Sequence, residues 1–388
     1  MTPRAAACDV VMPAHDAAPY IAAAIQSVLD QSLAPSQIVV VDDNSTDGTA
    51  AAAAAFGDRV RIVNGDGQGP GAARNLGVRH SNSDLIAFLD ADDVCHPDRL
   101  RLQVDALTNN PGAAMVFCDA DYTDASGRPT GSLFTCPEYR REAFLGQLFE
   151  RNRVLTASVA MVRRSAFDAA GGFDEHLSHA EDYDLWLRLA GAGAIEYINQ
   201  SLVLYRLHAS NLSGNREALR TCESEILRKH AVSDIRAALL ATHGTPDRTD
   251  VALSRVLFRM EHYIEGETLL RRVRPRESDR ALRHFLLGNF AVKRDDVEGA
   301  VAEYDRCLAS DPAFAPSHNN LGVIAAAQGR RQQARERFLE AAALRPGYSD
   351  PHQNLEALQK GHGSDLRYTF APLRAVLRPD SDAAASQG

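Results

Sequence analysis

No run of apolar residues in this 388-residue chain approaches the ~20 that a membrane span requires, so no transmembrane helix is expected. The start, Met1-Thr2-Pro3-Arg4-Ala5-Ala6-Ala7, lacks a signal-peptide core and leads straight into a strand pattern. Cysteine is sparse and scattered: the six, at positions 8, 95, 118, 136, 222 and 307, include no Cys-x-x-Cys pair. That spacing argues against a disulfide scaffold or a zinc site and predicts a reduced protein. An excess of positive charge is also missing; the formal net charge of -9 argues against general phosphate-backbone binding, so no nucleic acid partner is expected. The remaining composition, 45% hydrophobic and 24% charged, is that of an ordinary globular chain long enough for two or three domains. A soluble, cytoplasmic protein is expected, with peripheral contact at the inner face of the membrane left open.

The first 120 residues alternate in hydrophobic period. Cys8 to Met12, Gln37 to Val41, Arg59 to Val63, Leu85 to Leu89 and Ala114 to Cys118 read as strands. Between them lie helical patterns: Ile21, Ile25, Val28 and Leu29 share one face, Thr46 to Phe56 is helical with Ser45 or Thr46 as N-cap, and another helix starts near Pro97. Such alternation implies a mostly parallel sheet flanked by helices. Further strands follow at Val154 to Arg163 and Ile195 to His208, with a helix over Glu181 to Ala190 between them.

After Asn215 the strand signal ends and the chain reads as helix to about residue 360. Leu287-Gly288 and Leu321-Gly322 lie 34 residues apart, an offset shared by Ala300 and Ala334, Tyr304 and Phe338, and Pro312 and Pro346. Period and pattern match tetratricopeptide repeats, although His284 and His318 stand where an aromatic is usual. The expected organisation is an α/β domain over 1–214, a helical connector over 215–246, and an all-α repeat domain over 247–362 with clear units at 281–314 and 315–348. A tail over 363–388, Ala/Ser-rich from Asp380, is expected to be partly disordered.

Two carboxylate clusters each end an apolar run: Val39-Val40-Val41-Asp42-Asp43, and Leu85-Ile86-Ala87-Phe88-Leu89-Asp90-Ala91-Asp92-Asp93. Continuous short apolar runs suit strands buried on both faces, and ligands in such sheets bind at the strands' carboxyl ends. Aspartates crowded there raise one another's pKa unless a divalent cation neutralises them. Asp90 and Asp92, two apart on an extended segment, point the same way. The pattern suits a metal held against a phosphate-bearing ligand. Glycines 65, 67, 69 and 71 follow the third strand instead of the first, which makes them turn residues and not a nicotinamide fingerprint. They open a helix carrying Arg74 and Asn75, a favourable neighbourhood for a diphosphate.

Seven motifs in order resemble the inverting family 2 glycosyltransferases of the GT-A fold over residues 8 to 213. They are Val10-Val11-Met12-Pro13-Ala14-His15-Asp16, Val40-Val41-Asp42-Asp43-Asn44-Ser45-Thr46-Asp47, Gly71-Ala72-Ala73-Arg74-Asn75 and Leu89-Asp90-Ala91-Asp92-Asp93, then Gly171-Gly172-Phe173-Asp174, Glu181-Asp182-Tyr183-Asp184-Leu185-Trp186 and Tyr205-Arg206-Leu207-His208. The family usually has Asn where Asp16 stands. The resemblance implies a GT-A nucleotide-diphospho-sugar transferase fold. It also implies a metal-dependent, inverting transfer of a sugar from a UDP-, GDP- or dTDP-sugar to a hydroxyl of a glycan, lipid-linked or protein acceptor.

The same resemblance implies roles. Pro13, Asp16, Asp42, Arg74 and Asp90 would bind the donor, Asp42 at the base or ribose. Asp92 would ligate Mn²⁺ or Mg²⁺, with His208 touching metal or diphosphate from a closing loop. Asp182 is the expected general base, with Glu181 as the alternative base or an acceptor contact. Phe173 and Trp186 would border the acceptor. Asp93 is expected to cap the next helix. A tetratricopeptide adaptor with an inactive transferase domain is the competing reading, its repeats binding a protein or a second copy. A sugar nucleotidyltransferase fits less well, because the loop after the first strand, Pro13 to Pro19, has neither glycine nor a basic pair.

Overall fold

The computed structural model describes residues 7–208, 211, 215–274, 279–361 and 365–371. It divides into two compact units, the first reaching Thr242 and the second beginning at His243. Most of the expected tail lies outside the described residues.

The first unit is built on one mixed sheet. Its strands are β1 (Cys8–Ala14), β2 (Gln37–Asp42), β3 (Arg61–Asn64), β4 (Leu85–Phe88), β5 (Val94–Cys95), β6 (Ala113–Thr123), β7 (Pro129–Phe134), β8 (Ala160–Arg163) and β9 (Ala194–Arg206). They lie in the order β3-β2-β1-β4-β8-β6-β9-β5, with β7 paired to β6. The first four strands are parallel, as expected. The second half departs from a mostly parallel sheet. β8 runs antiparallel between β4 and β6, β9 returns parallel to β6, and β5 and β7 pair antiparallel with β9 and β6. A short apolar run reports burial on both faces and not strand direction, so β8 looks in sequence like its parallel neighbours.

Alternate residues of the central strands serve opposite helices. Val10 and Met12 of β1 pack with Ile21, Ala24, Ile25 and Val28 of the helix Ile21–Leu29. Val11 points the other way, where the helix Pro70–Arg79 crosses so closely that a Cβ on Gly77 would lie 2.4 Å from Val11 Cγ1. Because β1 sits between β2 and β4, successive connections leave it on opposite sides. The crevice at such a switch point opens at the strands' carboxyl ends, where the chain continues into His15, Asp43 and Leu89.

Local chemistry moves two expected helix starts. The second helix begins at Thr49, not Thr46, and Asp47 Oδ1 accepts from Thr49 N at 2.9 Å. The fourth begins at Arg99 and is preceded by Asp98, so Asp93 caps nothing. Helices Arg216–Arg228 and Val232–His243 do not stand apart as a connector. Lys229 reaches Asp174 and Asp184, and Thr242 Oγ1 donates to Ala143 O at 3.1 Å, all within the first unit.

The second unit consists of helices Pro246–Arg259, Tyr263–Arg272, Arg280–Lys293, Val297–Ser310, Ala315–Ala327, Arg331–Leu344 and Ser349–Lys360. Equivalent contacts recur at the 34-residue offset. A Cβ on Gly288 would lie 2.5 Å from the Tyr304 ring, and one on Gly322 would lie 2.6 Å from the Phe338 ring. Ala300, Ala334, Cys307 and Ala341 are wholly buried at matching positions. The sequence repeat is therefore a packing repeat: a missing side chain on one helix admits an aromatic from the next. Among the described residues, no helix is long and apolar enough to cross a membrane.

Candidate active site

Three loops meet at the carboxyl end of the parallel half. The turn after β1 is braced to the turn after β2: Thr46 N donates to Asp16 Oδ1 (2.7 Å) and Asp16 N to Ser45 Oγ (3.1 Å). Asp16 and Asn44 both take positive φ, 47° and 63°, which aspartate and asparagine tolerate better than other side chains. Pro13 is buried in β1 beneath this brace. Asp42 ends β2, partly exposed, and its Oδ1 accepts from Ser45 N at 3.3 Å. Asp43 is buried and turns toward the glycine loop, accepting from Gly67 N (2.9 Å) and Gly69 N (2.8 Å). A Cβ on Gly65 would lie 2.6 Å from Asp43 Oδ1, so that glycine is required by proximity. Asp43 thereby positions the start of the helix Pro70–Arg79.

Arg74, on that helix, is placed differently from expectation. Its side chain is only 5% exposed and spans two carboxylates, donating from Nη1 to Glu181 Oε1 (2.5 Å) and from Nη2 to Asp90 Oδ1 (2.6 Å). Burial opposes its charge, but Asp90 and Glu181 outweigh that and raise its pKa. Both terminal nitrogens are engaged, so Arg74 is an internal bridge between β4 and the helix Glu181–Ala192 and not an open diphosphate ligand. Removing one partner of this bridge would leave an uncompensated buried charge, which is costly. Asn75 holds the adjoining turn, pairing with the backbone N and O of Phe173 at 2.9 Å each.

Asp90 and Asp92 follow β4. Asp90 takes Arg74 on one oxygen and Thr156 Oγ1 (2.9 Å) on the other. Asp92 Oδ2 faces His208 Nε2 at 2.8 Å. Burial first, then the charge of Asp90, raise the pKa of Asp92, and the His208 hydrogen bond opposes them. Asp93 is fully buried, accepts from Arg206 N (3.0 Å), and is pushed well above the carboxylate range by burial and by Asp92 and Asp90. Arg206 also donates from Nε to Asp92 O (2.9 Å), fastening the end of β9 to this loop.

Sequence reasoning missed Tyr20. Its ring stacks on His208 at 5.1 Å and receives the Arg206 guanidinium at 5.0 Å, so it orients both. Only an aromatic shortly after the first loop signals it.

The helix Glu181–Ala192 starts from Ala180, whose φ of +57° is unfavourable for a residue with a Cβ. Non-glycine residues held in this way concentrate at functional sites. Glu181 is buried against Arg74. Asp182, partly exposed beside it, has its pKa raised to about 7 by burial and by the Glu181 charge, with Arg74 opposing. A carboxyl near 7 can exchange a proton under ordinary conditions.

Two expected acceptor-side residues are not at a surface. Trp186 is 0% exposed and Phe173 2%; they pack edge-to-face with each other, and Phe173 also with Phe88 and Phe167. An aromatic following paired glycines reads equally well as pocket wall or core, and here burial makes both residues core. Phe173 contributes indirectly, its ring lying 5.4 Å from the Arg74 guanidinium carbon.

Among the described residues, no group of three or more His, Cys, Asp or Glu stands ready to hold a metal. The donor set nevertheless fits a divalent ion that takes its remaining ligands from phosphate and water. Asp92 supplies a carboxylate, His208 an imidazole at the same point, and Asp90 adds negative charge nearby.

Residues 9–171 match the model of glycosyl transferase family 2. Over 209 residues the chain is 29% identical to a chondroitin synthase of Escherichia coli, covering 53% of this chain and 29% of that protein. It is 28% identical over 212 residues to an E. coli UDP-Glc:alpha-D-GlcNAc-diphosphoundecaprenol beta-1,3-glucosyltransferase, covering 54% and 80% of the two chains. A Rickettsia prowazekii protein named only as a glycosyltransferase is 26% identical, matched over 64% of its length. The chain thus spans less than two thirds of some curated relatives. Among solved structures, S. aureus TarS 1-349 in complex with UDP-GlcNAc aligns with a TM-score of 0.49 at 15% identity, over 92% of each chain. A Pyrobaculum calidifontis mannosyltransferase in complex with GDP-Man and Mn²⁺ aligns with a TM-score of 0.47 at 17% identity, over 80% of this chain and 89% of that one. Residues 9–171 of this chain are a family 2 glycosyltransferase domain.

Proposed function

We propose that the first unit is a metal-dependent, inverting glycosyltransferase acting on a nucleotide-diphosphate sugar. The observation that carries this reading is the Asp90–Arg74–Glu181 bridge. It ties the carboxylates after β4 to the helix start that presents Asp182. A donor end and a proton acceptor therefore share one crevice.

Asp182 takes the proton of an acceptor hydroxyl as that oxygen attacks the anomeric carbon. The bond from that carbon to the diphosphate oxygen breaks on the opposite side, and the nucleoside diphosphate leaves with the electron pair. Asp42 receives hydrogen bonds from the nucleotide's base or ribose. Asp92 and His208 would hold Mn²⁺ or Mg²⁺, which stabilises the charge on the leaving diphosphate. Arg74 positions Asp90 and Glu181 and limits the rise in the Asp182 pKa. One relative is named for UDP-Glc and a diphosphoundecaprenol-linked sugar. On that basis a UDP-sugar donor and a glycan or lipid-linked acceptor are the first to try. The second unit is read as tetratricopeptide-like repeats that bind protein.

Calorimetry of UDP-, GDP- and dTDP-sugars with Mn²⁺, Mg²⁺ or EDTA tests the donor site. Binding should need metal and should disappear in Asp92→Ala. Asp182→Asn should retain donor binding and lose turnover; equal loss of both removes Asp182 as the base.

A further inference from the structure

Helix interiors rarely hold buried asparagine, because its amide needs four hydrogen bonds that a helix packing surface seldom supplies. The second unit has four, Asn289, Asn319, Asn320 and Asn354, each at most 1% exposed. They are satisfied by one another and by an extended stretch of the same chain. Asn354 Oδ1 accepts from Arg367 N (2.7 Å) while its Nδ2 donates to Arg367 O (2.9 Å). One 34-residue repeat earlier, Asn320 treats Thr369 identically, accepting from its N (2.8 Å) and donating to its O (2.9 Å). Asn319 adds a donor to Arg367 O (3.0 Å), and Asn289 one to Phe370 O (3.1 Å). A carboxamide that gives and takes at one residue imitates the edge of a neighbouring β-strand.

We propose that this groove is a receptor for an extended polypeptide segment of a partner protein, read through its main chain by Asn320 and Asn354, with residues 366–370 seated in it as a built-in competitor. Several observations separate a seated ligand from a fixed part of the fold. Among the described residues, no backbone group from Arg367 to Phe370 bonds to another backbone group; the main-chain hydrogen bonds found there go to side chains. Of residues 365–371 only Thr369 is buried. Main-chain recognition tolerates many sequences, and the strictest requirement falls on that one position. The Thr369 hydroxyl donates to Asp350 Oδ2 (2.6 Å) and lies within hydrogen-bond reach of Asn319 and Tyr348. On either side, Tyr368 and Phe370 stack on each other at 5.7 Å, with Phe370 against Phe258 and under the Lys293 ammonium. The partner segment therefore carries Ser or Thr between two aromatic residues. The proposal stands whether or not residues 9–171 transfer a sugar.

A tethered competitor works at an effective concentration on the order of millimolar, so a free segment binds weakly until the groove is vacated. The test uses the full chain and a fluorescein-labelled peptide of residues 365–371, read by anisotropy. Thr369→Pro removes the N–H that Asn320 accepts and should eject the resident segment. That variant should bind the peptide at least about tenfold more tightly than wild type, a ratio set by how fully the resident segment fills the groove. Adding Asn320→Ala should abolish the gain. A Thr369→Pro protein with wild-type circular dichroism and no gain in binding overturns the proposal. Should Thr369→Pro fail to fold, hydrogen exchange on wild type decides: the Thr369 amide should exchange well before those of the helix Ala315–Ala327, and equal protection overturns it. A wild-type dimer dissolved by the peptide would assign the groove to a second copy and overturn the partner assignment.

Discussion

If Asp182 is the base, its pKa should govern the rate near neutrality. A carboxyl at its ordinary value of 3.8 would leave the rate flat above about pH 5, whereas one raised to about 7 is half protonated at pH 7. With the unprotonated form active, kcat/KM should fall about tenfold from pH 8 to pH 6. Burial is the larger cause of the rise and the Glu181 charge the second. Glu181→Gln removes that charge and keeps an oxygen for Arg74 Nη1. The acid limb should then move to lower pH while the plateau is kept. Asp182→Asn should remove the limb and lower kcat by about 10²–10⁴-fold. The assay is release of nucleoside diphosphate from the donor identified by calorimetry, at saturating metal, between pH 5.5 and pH 8.5. A flat wild-type profile, or a limb that stays in place in Glu181→Gln, refutes the reasoning.

Four further outcomes are expected. Asp182→Asn should raise the melting temperature, and more at pH 8 than at pH 4. The folded-state pKa lies above the unfolded one, so ionising Asp182 costs stability progressively from about pH 4 to pH 7 and fully above. Arg74→Ala leaves Asp90 and Glu181 facing each other unpaired and should destabilise the first unit by about 3–5 kcal/mol in urea unfolding; a loss below about 1 kcal/mol would mean the bridge is not buried in solution. Gly322→Ala forces a Cβ against the Phe338 ring and should cost about 1–3 kcal/mol, seen as a lower melting temperature with unchanged donor binding. His208→Ala should raise the Mn²⁺ concentration needed for half-maximal donor binding at least about tenfold, and an unchanged requirement would take His208 out of the metal set.

The parallel half of the sheet was legible because β1, β2 and β4 are built on buried apolar runs, β3 carries a shorter apolar pair, and helices with their own period lie between them. The helical character of the second unit was legible from its period, and Gly288 with Tyr304 and Gly322 with Phe338 meet at the 34-residue offset. The antiparallel placement of β8 was not legible: Ala160 to Val162 are as buried as the residues of β4, and burial carries no direction. β5 and β7 escaped for a different reason. One has two residues, and the other is an edge strand whose exposed and half-buried positions give no apolar signal.

At the site, residue types predicted proximity better than role. Asp90, Asp92 and His208 come together because each follows a strand end that the sheet brings to one side. Arg74 was correctly placed near them, yet a sequence does not show that its guanidinium is already taken on both terminal nitrogens. That distinction has a mechanistic consequence. An arginine open to solvent would meet the diphosphate directly. One locked between Asp90 and Glu181 transmits any movement of the strand-end loop to the helix that presents Asp182. Donor binding at Asp90 and Asp92 would then alter the charge felt at the base, so the pKa of Asp182 should differ between the free and donor-bound protein.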